Sequence, residues 1–523
     1  MNIKILDCTL RDGGYVNSWD FGQKIAKKML LSLDKSGVEY TEIGFLQDIE
    51  YNPEKTLFNE ISLINNIIPD NQIIKTKIVA MIVYGKFNEK KIVPKNENIK
   101  LDAIRVTFKK HEINSVLNYL KKIKDCGYKL FVNPTNVESY TDKELLSIID
   151  KVNKLHPYGF SIVDTNGVLK ERDIIRLAYL IDNNLNNDIK LCFHSHNNLQ
   201  LSFSNAQCLI KVCNNRELII DSTVFGMGRG AGNLCTELIT QYINDNYNGH
   251  YDIVPILKII DEQINPIFAK TPWGYSVPYY LAATNHCHPN YAKYLVDKQT
   301  VPVEMINKLL KNIPDNKKSM YDLNLIKQIY LDNFSKNIDD SEIVEKLKQK
   351  LKDRNILILA PGKSLSKEHD KIDNFINLNK PYILSLNFIP ENFKIDVAFI
   401  SNMKRFSSLN DYDKPMLVTS NIENIPDKAN VLNYSSYLNN SKMYDNAALM
   451  CLKMLFNVGV KEVSIAGLDG FSNVQTENYV SSELINNARE NEFDERNEIM
   501  SKELKELSKD ITLNFITETN YQI

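Results

Sequence analysis

No two cysteines stand in C-x-x-C spacing in this sequence, although it has 8 of them: Cys8, Cys126, Cys192, Cys208, Cys213, Cys235, Cys287 and Cys451. Several lie in apolar, strand-like runs. This argues against a disulfide scaffold or a thiolate zinc module and leads us to expect a reduced, cytoplasmic protein. Surplus charge is missing too. The 63 Lys and Arg residues face 65 Asp and Glu, a formal net charge of −2. No bulk basic field is there to attract nucleic acid or an anionic membrane, so neither is expected as a partner. No apolar stretch is long enough to span a bilayer. Met1-Asn2-Ile3-Lys4-Ile5-Leu6 runs straight into a strand pattern with no secretory signal. A glycine-rich dinucleotide turn is lacking after the first strand, where Asp12-Gly13-Gly14 is a poor version of one. Pro361-Gly362-Lys363-Ser364 resembles the tail of a phosphate-binding loop without its first glycine, which argues against an ATPase.

What is present is a globular composition, 43% hydrophobic and 24% charged, over 523 residues. That length is too great for one ordinary core and predicts two or three domains. To about residue 240, short apolar strands alternate with amphipathic helical segments such as 21–36, 143–155 and 172–183. The strands fall at 4–8, 40–44, 77–83, 103–107, 129–133, 159–164, 189–194 and 218–224. This repeat predicts a closed parallel (β/α)8 TIM barrel over residues 1–270, with an open doubly wound sheet as the alternative. Residues 271–350 read as a helical extension and linker. Residues 351–523 begin with the buried run Ile356–Ala360 and read as a Rossmann-like α/β domain. Its strands are expected at 382–387, 397–401, 416–419 and 462–466, with a helix at 446–458. A nucleotide or nucleotide-sugar would meet Gly362, Lys363 and Ser364 there.

Barrel chemistry sits at the C-terminal ends of the strands, and polar residues gather there. Arg11 and Asp12 follow strand one, Glu42 lies on strand two, and Arg105 on strand four. Asn133 ends strand five, Asp164 and Thr165 end strand six, and Arg229 stands in the glycine loop after strand eight. Strand seven runs into His194-Ser195-His196. Residues two apart on a strand share a face, so these imidazoles can aim at one point, a common way to hold a divalent metal. Asp12 is the natural third ligand, and the absence of thiolates favours Mn²⁺, with Mg²⁺ or Zn²⁺ as alternatives. A second His-x-His, His286 and His288, has no preceding strand and no adjacent carboxylate, and reads as packing.

Leu10-Arg11-Asp12-Gly13, His194-x-His196-Asn197-Asn198 and Gly226-x-Gly228-x-Gly230-Ala231-Gly232-Asn233, in this order, resemble the DRE-TIM metallolyases over about residues 1–295. The glycine loop is most similar to that of the 4-hydroxy-2-oxovalerate aldolases. The resemblance implies Asp12, His194 and His196 as metal ligands, Asn233 as a further or site-ordering ligand, Arg11 as the catalytic arginine and Tyr275 as an active-site tyrosine. It implies a carbon–carbon lyase acting on a pyruvate-like 2-oxo acid and an aldehyde, and we expect a homo-oligomer. The histidine those aldolases carry four residues after the arginine is Tyr15 here. Tyrosine titrates near pH 10 and histidine near 6.5. Either the metal or Arg11 lowers Tyr15 into a working acid/base, or another group does the work, or the substrate differs; we favour a changed substrate. The C-terminal part resembles bacterial surface-glycan enzymes of the sialyltransferase type, through Ser385-Leu386-Asn387-Phe388 and Ala466-Gly467-Leu468-Asp469-Gly470. That suggests a sugar-derived aldehyde and a polysaccharide pathway. A Claisen-type acyl-CoA synthase and a glycosyltransferase seated in the C-terminal domain remain alternatives.

Overall fold

A computed structural model describes residues 2–523 apart from 70–71, 214–215, 336, 410–414, 428, 440–444, 482–483 and 485–489. The chain divides into two compact units. One comprises Met1–Pro289 with Lys318–Met320, the other Asn290–Lys317 with Tyr321–Ile523.

The first unit is a closed parallel barrel of eight strands: β1 (Ile3–Asp7), β2 (Tyr40–Leu46), β3 (Lys77–Val83), β4 (Ala103–Phe108), β5 (Lys129–Pro134), β6 (Gly159–Asp164), β7 (Lys190–Ser195) and β8 (Leu218–Ser222). Closure comes from β1, which pairs with β8 along Ile3–Asp7 and with β2 at Leu6 and Asp7. A two-residue strand, Leu57–Phe58, extends β2 outward. Strands buried on both faces need apolar residues on both faces, which is why they stand out as continuous runs. The second and third crossovers carry 3-10 turns, Ile61–Ile67 and Glu89–Lys91, in place of full helices.

The interior is layered by the two-residue period of the strands. Tyr40, Ala103, Phe131, Cys192 and Ile219 form an apolar layer. Two residues further along the same strands come Glu42, Arg105, Asn133, His194 and Asp221, all buried. The barrel is thus apolar at its base and ionic toward its mouth. Gly44 lets the chain following β2 pack tightly, since a Cβ there would lie 2.0 Å from the Thr56 carbonyl oxygen.

The second unit is built on an open, all-parallel sheet of seven strands: β9 (Ile356–Leu359), β10 (Tyr382–Leu386), β11 (Val397–Ile400), β12 (Met416–Thr419), β13 (Asn430–Leu432), β14 (Glu462–Ala466) and β15 (Thr512–Phe515). Their order is β13-β12-β11-β10-β9-β14-β15. The sequence pattern anticipates five of these. It misses β13, which has three residues, and β15, an edge strand with no fully buried position. The helices Val303–Lys311, Leu323–Phe334 and Ser341–Leu351 group with this unit. Among the described residues no helix is long and apolar enough to cross a membrane.

Candidate functional site

Strand β1 leaves the barrel through a buried helical turn, Thr9–Gly13, fixed by the Asp12 N–H donating to the Cys8 carbonyl at 2.7 Å. Asp7 anchors the turn from below, accepting from the Thr9 N–H and the Thr236 hydroxyl; burial pushes its carboxyl up to about 6. The turn presents Asp12 to β7. Asp12 Oδ2 lies 3.6 Å from His194 Nε2 and 3.4 Å from His196 Nε2. One ligand atom from each of the three lies within 4.8 Å of the others.

The proton positions follow from the partners. His196 Nδ1 is 3.0 Å from the Asp164 carbonyl oxygen, which can only accept, so Nδ1 carries the hydrogen and a neutral ring leaves Nε2 with its lone pair. His194 Nδ1 is 3.1 Å from Asp221 Oδ2 and is fixed the same way. Burial holds the His194 imidazole below its ordinary value, toward the neutral form a ligand needs. Burial would raise Asp12, but the Arg11 guanidinium beside it outweighs this and holds the carboxyl well below the usual range. Asp12 Oδ2 and Asn233 Oδ1 are buried acceptors with no hydrogen-bond donor. Buried polar atoms are rarely left so. Asn233 is placed by its bridge to His196, and its Nδ2 donates to the Met227 carbonyl at 3.1 Å. A carboxylate and two imidazole lone pairs form a donor set suited to a hard or borderline divalent cation, so the residues fit such an ion.

Behind this cluster runs a chain of buried ion pairs. Arg11 binds Asp12 and donates from Nε to Glu42 Oε2 at 2.7 Å. Glu42 also meets Arg105 at 3.5 Å, and Arg105 binds Asp221, which holds His194. Each charge is expensive to bury alone and persists because it is paired.

The other candidate residues have the following surroundings. Glu42 and Arg105, read as substrate contacts, are fully buried struts that position Arg11 and Asp221. Asp164, read likewise, spends its carboxylate on the N–H groups of Val168 and Leu169 and organises its own loop. Thr165 ties neighbouring loops, accepting from the Asn136 N–H at 2.8 Å. Asn133 stays in the His194 layer with an unmatched Oδ1. Tyr15 is 44% exposed, and desolvation together with the Asp12 carboxylate shifts its phenol above the ordinary value. Its ring packs edge-on to Trp19 at 4.8 Å, and the Arg229 guanidinium lies over it at 5.5 Å. Tyr275 is 58% exposed, its ring against Tyr280, and makes no hydrogen bond to the Asp12 cluster.

One residue escaped the sequence reading. Asp221 was signalled by a lone acid inside the apolar strand Leu218-Ile219-Ile220-Asp221-Ser222. His288, read as packing, is pushed down to about 3 by burial first and then by the Arg229 charge.

In the second unit a cavity of about 500 Å³ opens at the carboxyl ends of β9, β10, β11 and β14, where the strand order reverses. Gly362, Asn387, Asn402, Arg405 and Tyr521 are among its lining residues. The expected phosphate contacts are only partly placed. Gly362 lines the cavity, but Ser364 directs both its N–H and its hydroxyl to Asp469, and Lys363 is not in the wall. The glycine at 362 is explained by packing, since a Cβ there would lie 2.3 Å from the Gly467 carbonyl oxygen.

Residues 89–260 match the family model described as HMGL-like. A 4-hydroxy-2-oxovalerate aldolase of Bacillus cereus (strain ATCC 10987 / NRS 248) is 23% identical over 277 residues, covering 51% of this chain and 76% of that protein. An oxaloacetate decarboxylase of Mycobacterium tuberculosis (strain ATCC 25618 / H37Rv) is 22% identical over 288 residues, covering 52% of this chain and 79% of its own length. Among solved structures, the N-terminal domain of a Bacteroides vulgatus protein described as an aldolase is 28% identical. It aligns with a TM-score of 0.48 over 56% of this chain and 96% of that one.

Proposed function

We propose, from an HMGL-like N-terminal domain similar to aldolases and lyases, that this chain is a divalent-metal-dependent aldolase. In this reading it makes or breaks the bond between the enolate carbon of a pyruvate-like 2-oxo acid and the carbonyl carbon of an aldehyde. The observation that carries the reading is the convergence of Asp12 Oδ2 with two histidine Nε2 lone pairs, each histidine locked from its far side.

Asp12, His194, His196 and Asn233 would hold the cation, with Mn²⁺ the best fit. Bound there, a divalent ion supplies a Lewis acid for the ketone oxygen of the 2-oxo acid. The protein's own part is preorganisation. Arg11, clamped between Asp12 and Glu42, keeps a fixed positive charge beside the place where oxyanion charge develops. In the aldol direction the proton lost from C3 of the 2-oxo acid is balanced by one gained at the new C4 hydroxyl. Tyr15 is a wall residue in this account, not the base. The cavity of the second unit supports a nucleotide or nucleotide-sugar site, and with it a sugar-derived aldehyde in polysaccharide metabolism.

The reading is tested by following pyruvate release from a panel of 4-hydroxy-2-oxo acids with a coupled dehydrogenase. Chelator treatment is expected to leave about 1% of the activity or less, and added Mn²⁺ to restore it. Cleavage that persists in protein shown to be metal-free would refute the metal-dependent reading.

A further inference from the structure

Three arginines stand at or beneath the barrel mouth, and two are already neutralised. Arg11 and Arg105 share Asp12, Glu42 and Asp221, so these 2 cations meet 3 carboxylates. Arg229 differs. It forms no ion pair among the described residues and is partly exposed. It projects from the loop Gly228-Arg229-Gly230, which is held at Ala231, whose N–H donates to Asn198 Oδ1 at 3.0 Å. Its guanidinium lies 5.5 Å from the centroid of the Tyr15 ring. Tyr15 in turn belongs to an aromatic wall, with Trp19 at 4.8 Å and Phe45 at 6.2 Å. The wall reaches the reaction centre, because Trp19 Nε1 donates to the Arg11 carbonyl at 2.7 Å and the Arg11 guanidinium lies 5.7 Å from the Phe45 ring.

A guanidinium on an aromatic face keeps its forked donors pointing outward and is suited to a carboxylate or phosphate. The wall beneath it is rigid: Trp19 is held in a left-handed conformation by hydrogen bonds from its backbone N–H to Gly14 and to its own carbonyl from Thr56. Such a surface suits a short carbon chain lying between the reacting carbonyl and a terminal anion.

We propose that Arg229 is the receptor for an anionic group on the aldehyde partner, and that Tyr15, Trp19 and Phe45 form the surface along which that aldehyde lies. The enzyme then selects aldehydes bearing a carboxylate or phosphate over neutral ones of the same length. This rests on the aldolase reading above and specifies its second substrate.

The test uses the full chain loaded with Mn²⁺, with pyruvate and paired aldehydes: succinic semialdehyde against butanal, and glyceraldehyde 3-phosphate against glyceraldehyde. Wild type is expected to favour the charged member of at least one pair by about 10-fold to 100-fold in kcat/KM, the span of a charge-assisted hydrogen bond. Which pair shows it distinguishes carboxylate from phosphate. Arg229→Gln should remove most of that preference, chiefly through the KM of the charged aldehyde, and Arg229→Lys should recover part of it. Binding of succinate, read as displacement of a fluorescent anion from the metal-loaded protein, should weaken in Arg229→Gln and weaken less in Arg229→Lys. A preference for neutral aldehydes, or one unchanged in Arg229→Gln, would overturn the proposal. Failure of pyruvate to condense with any of the four aldehydes would instead count against the aldolase reading.

Discussion

Asp12→Asn is expected to lower kcat/KM for carbon–carbon cleavage by about 10³-fold or more and to weaken Mn²⁺ binding by more than about 100-fold. The substitution preserves shape and removes charge. Asp12 Oδ2 faces both histidine Nε2 atoms at 3.4 and 3.6 Å. An amide in its place offers either a neutral oxygen, a weaker ligand, or an N–H₂ that directs hydrogens where the cation would sit. The loss on the metal exceeds that caused by disturbing an outer hydrogen bond, about 10-fold to 100-fold, because the ligand atom itself changes. Arg11 keeps Glu42 as a partner, so the fold should survive. Calorimetric titration with Mn²⁺, alongside steady-state kinetics, checks both figures. Near-wild-type metal affinity in a folded Asp12→Asn protein would remove Asp12 from the ligand set.

Asp221→Ala is expected to act on both stability and the metal. Asp221 is fully buried and binds Arg105 and His194. Its removal leaves Arg105, itself 0% exposed, with Glu42 alone at 3.5 Å. Breaking a buried pair by deleting one partner costs about 3–5 kcal/mol. The same change frees the His194 ring to rotate or to change tautomer, which should weaken metal binding by about 10-fold to 100-fold. A double variant separates the two effects. Asp221→Leu with Arg105→Met replaces the ion pair by apolar side chains, which is often neutral for stability. It should recover most of the melting temperature and none of the metal affinity. Recovery of both would mean that Asp221 does not position His194.

The barrel was legible in the sequence because strands buried on both faces leave continuous apolar runs with polar residues at their ends. The cluster of Asp12, His194 and His196 was legible for a similar reason: His194 and His196 share a strand register, and β1 lies two strands from β7. What the sequence pattern could not reveal was direction. Glu42, Arg105 and Asp164 all stand on or at the ends of barrel strands. Their roles depend on which neighbour each side chain meets, and that is set by pairing between strands far apart in sequence. Asp221 was obscured for the same reason, since its partners come from β4 and β7. Likewise Ser364 fits a phosphate loop until Asp469, more than 100 residues later, is seen to take its donors. Tyr15 stands out in the sequence as a departure from the aldolase pattern, but the Asp12 carboxylate that acts on it could be placed only by the fold.

The most direct test of the central claim is exchange of the methyl protons of pyruvate with D₂O, followed by NMR, in wild type with and without Mn²⁺ and in Asp12→Asn. Enolate chemistry at this site predicts exchange in the metal-loaded wild type and none above background in the chelated protein or in Asp12→Asn. Exchange that ignores both the metal and Asp12, or a metal-saturated wild type that exchanges no proton of pyruvate or a related 2-oxo acid, would contradict it.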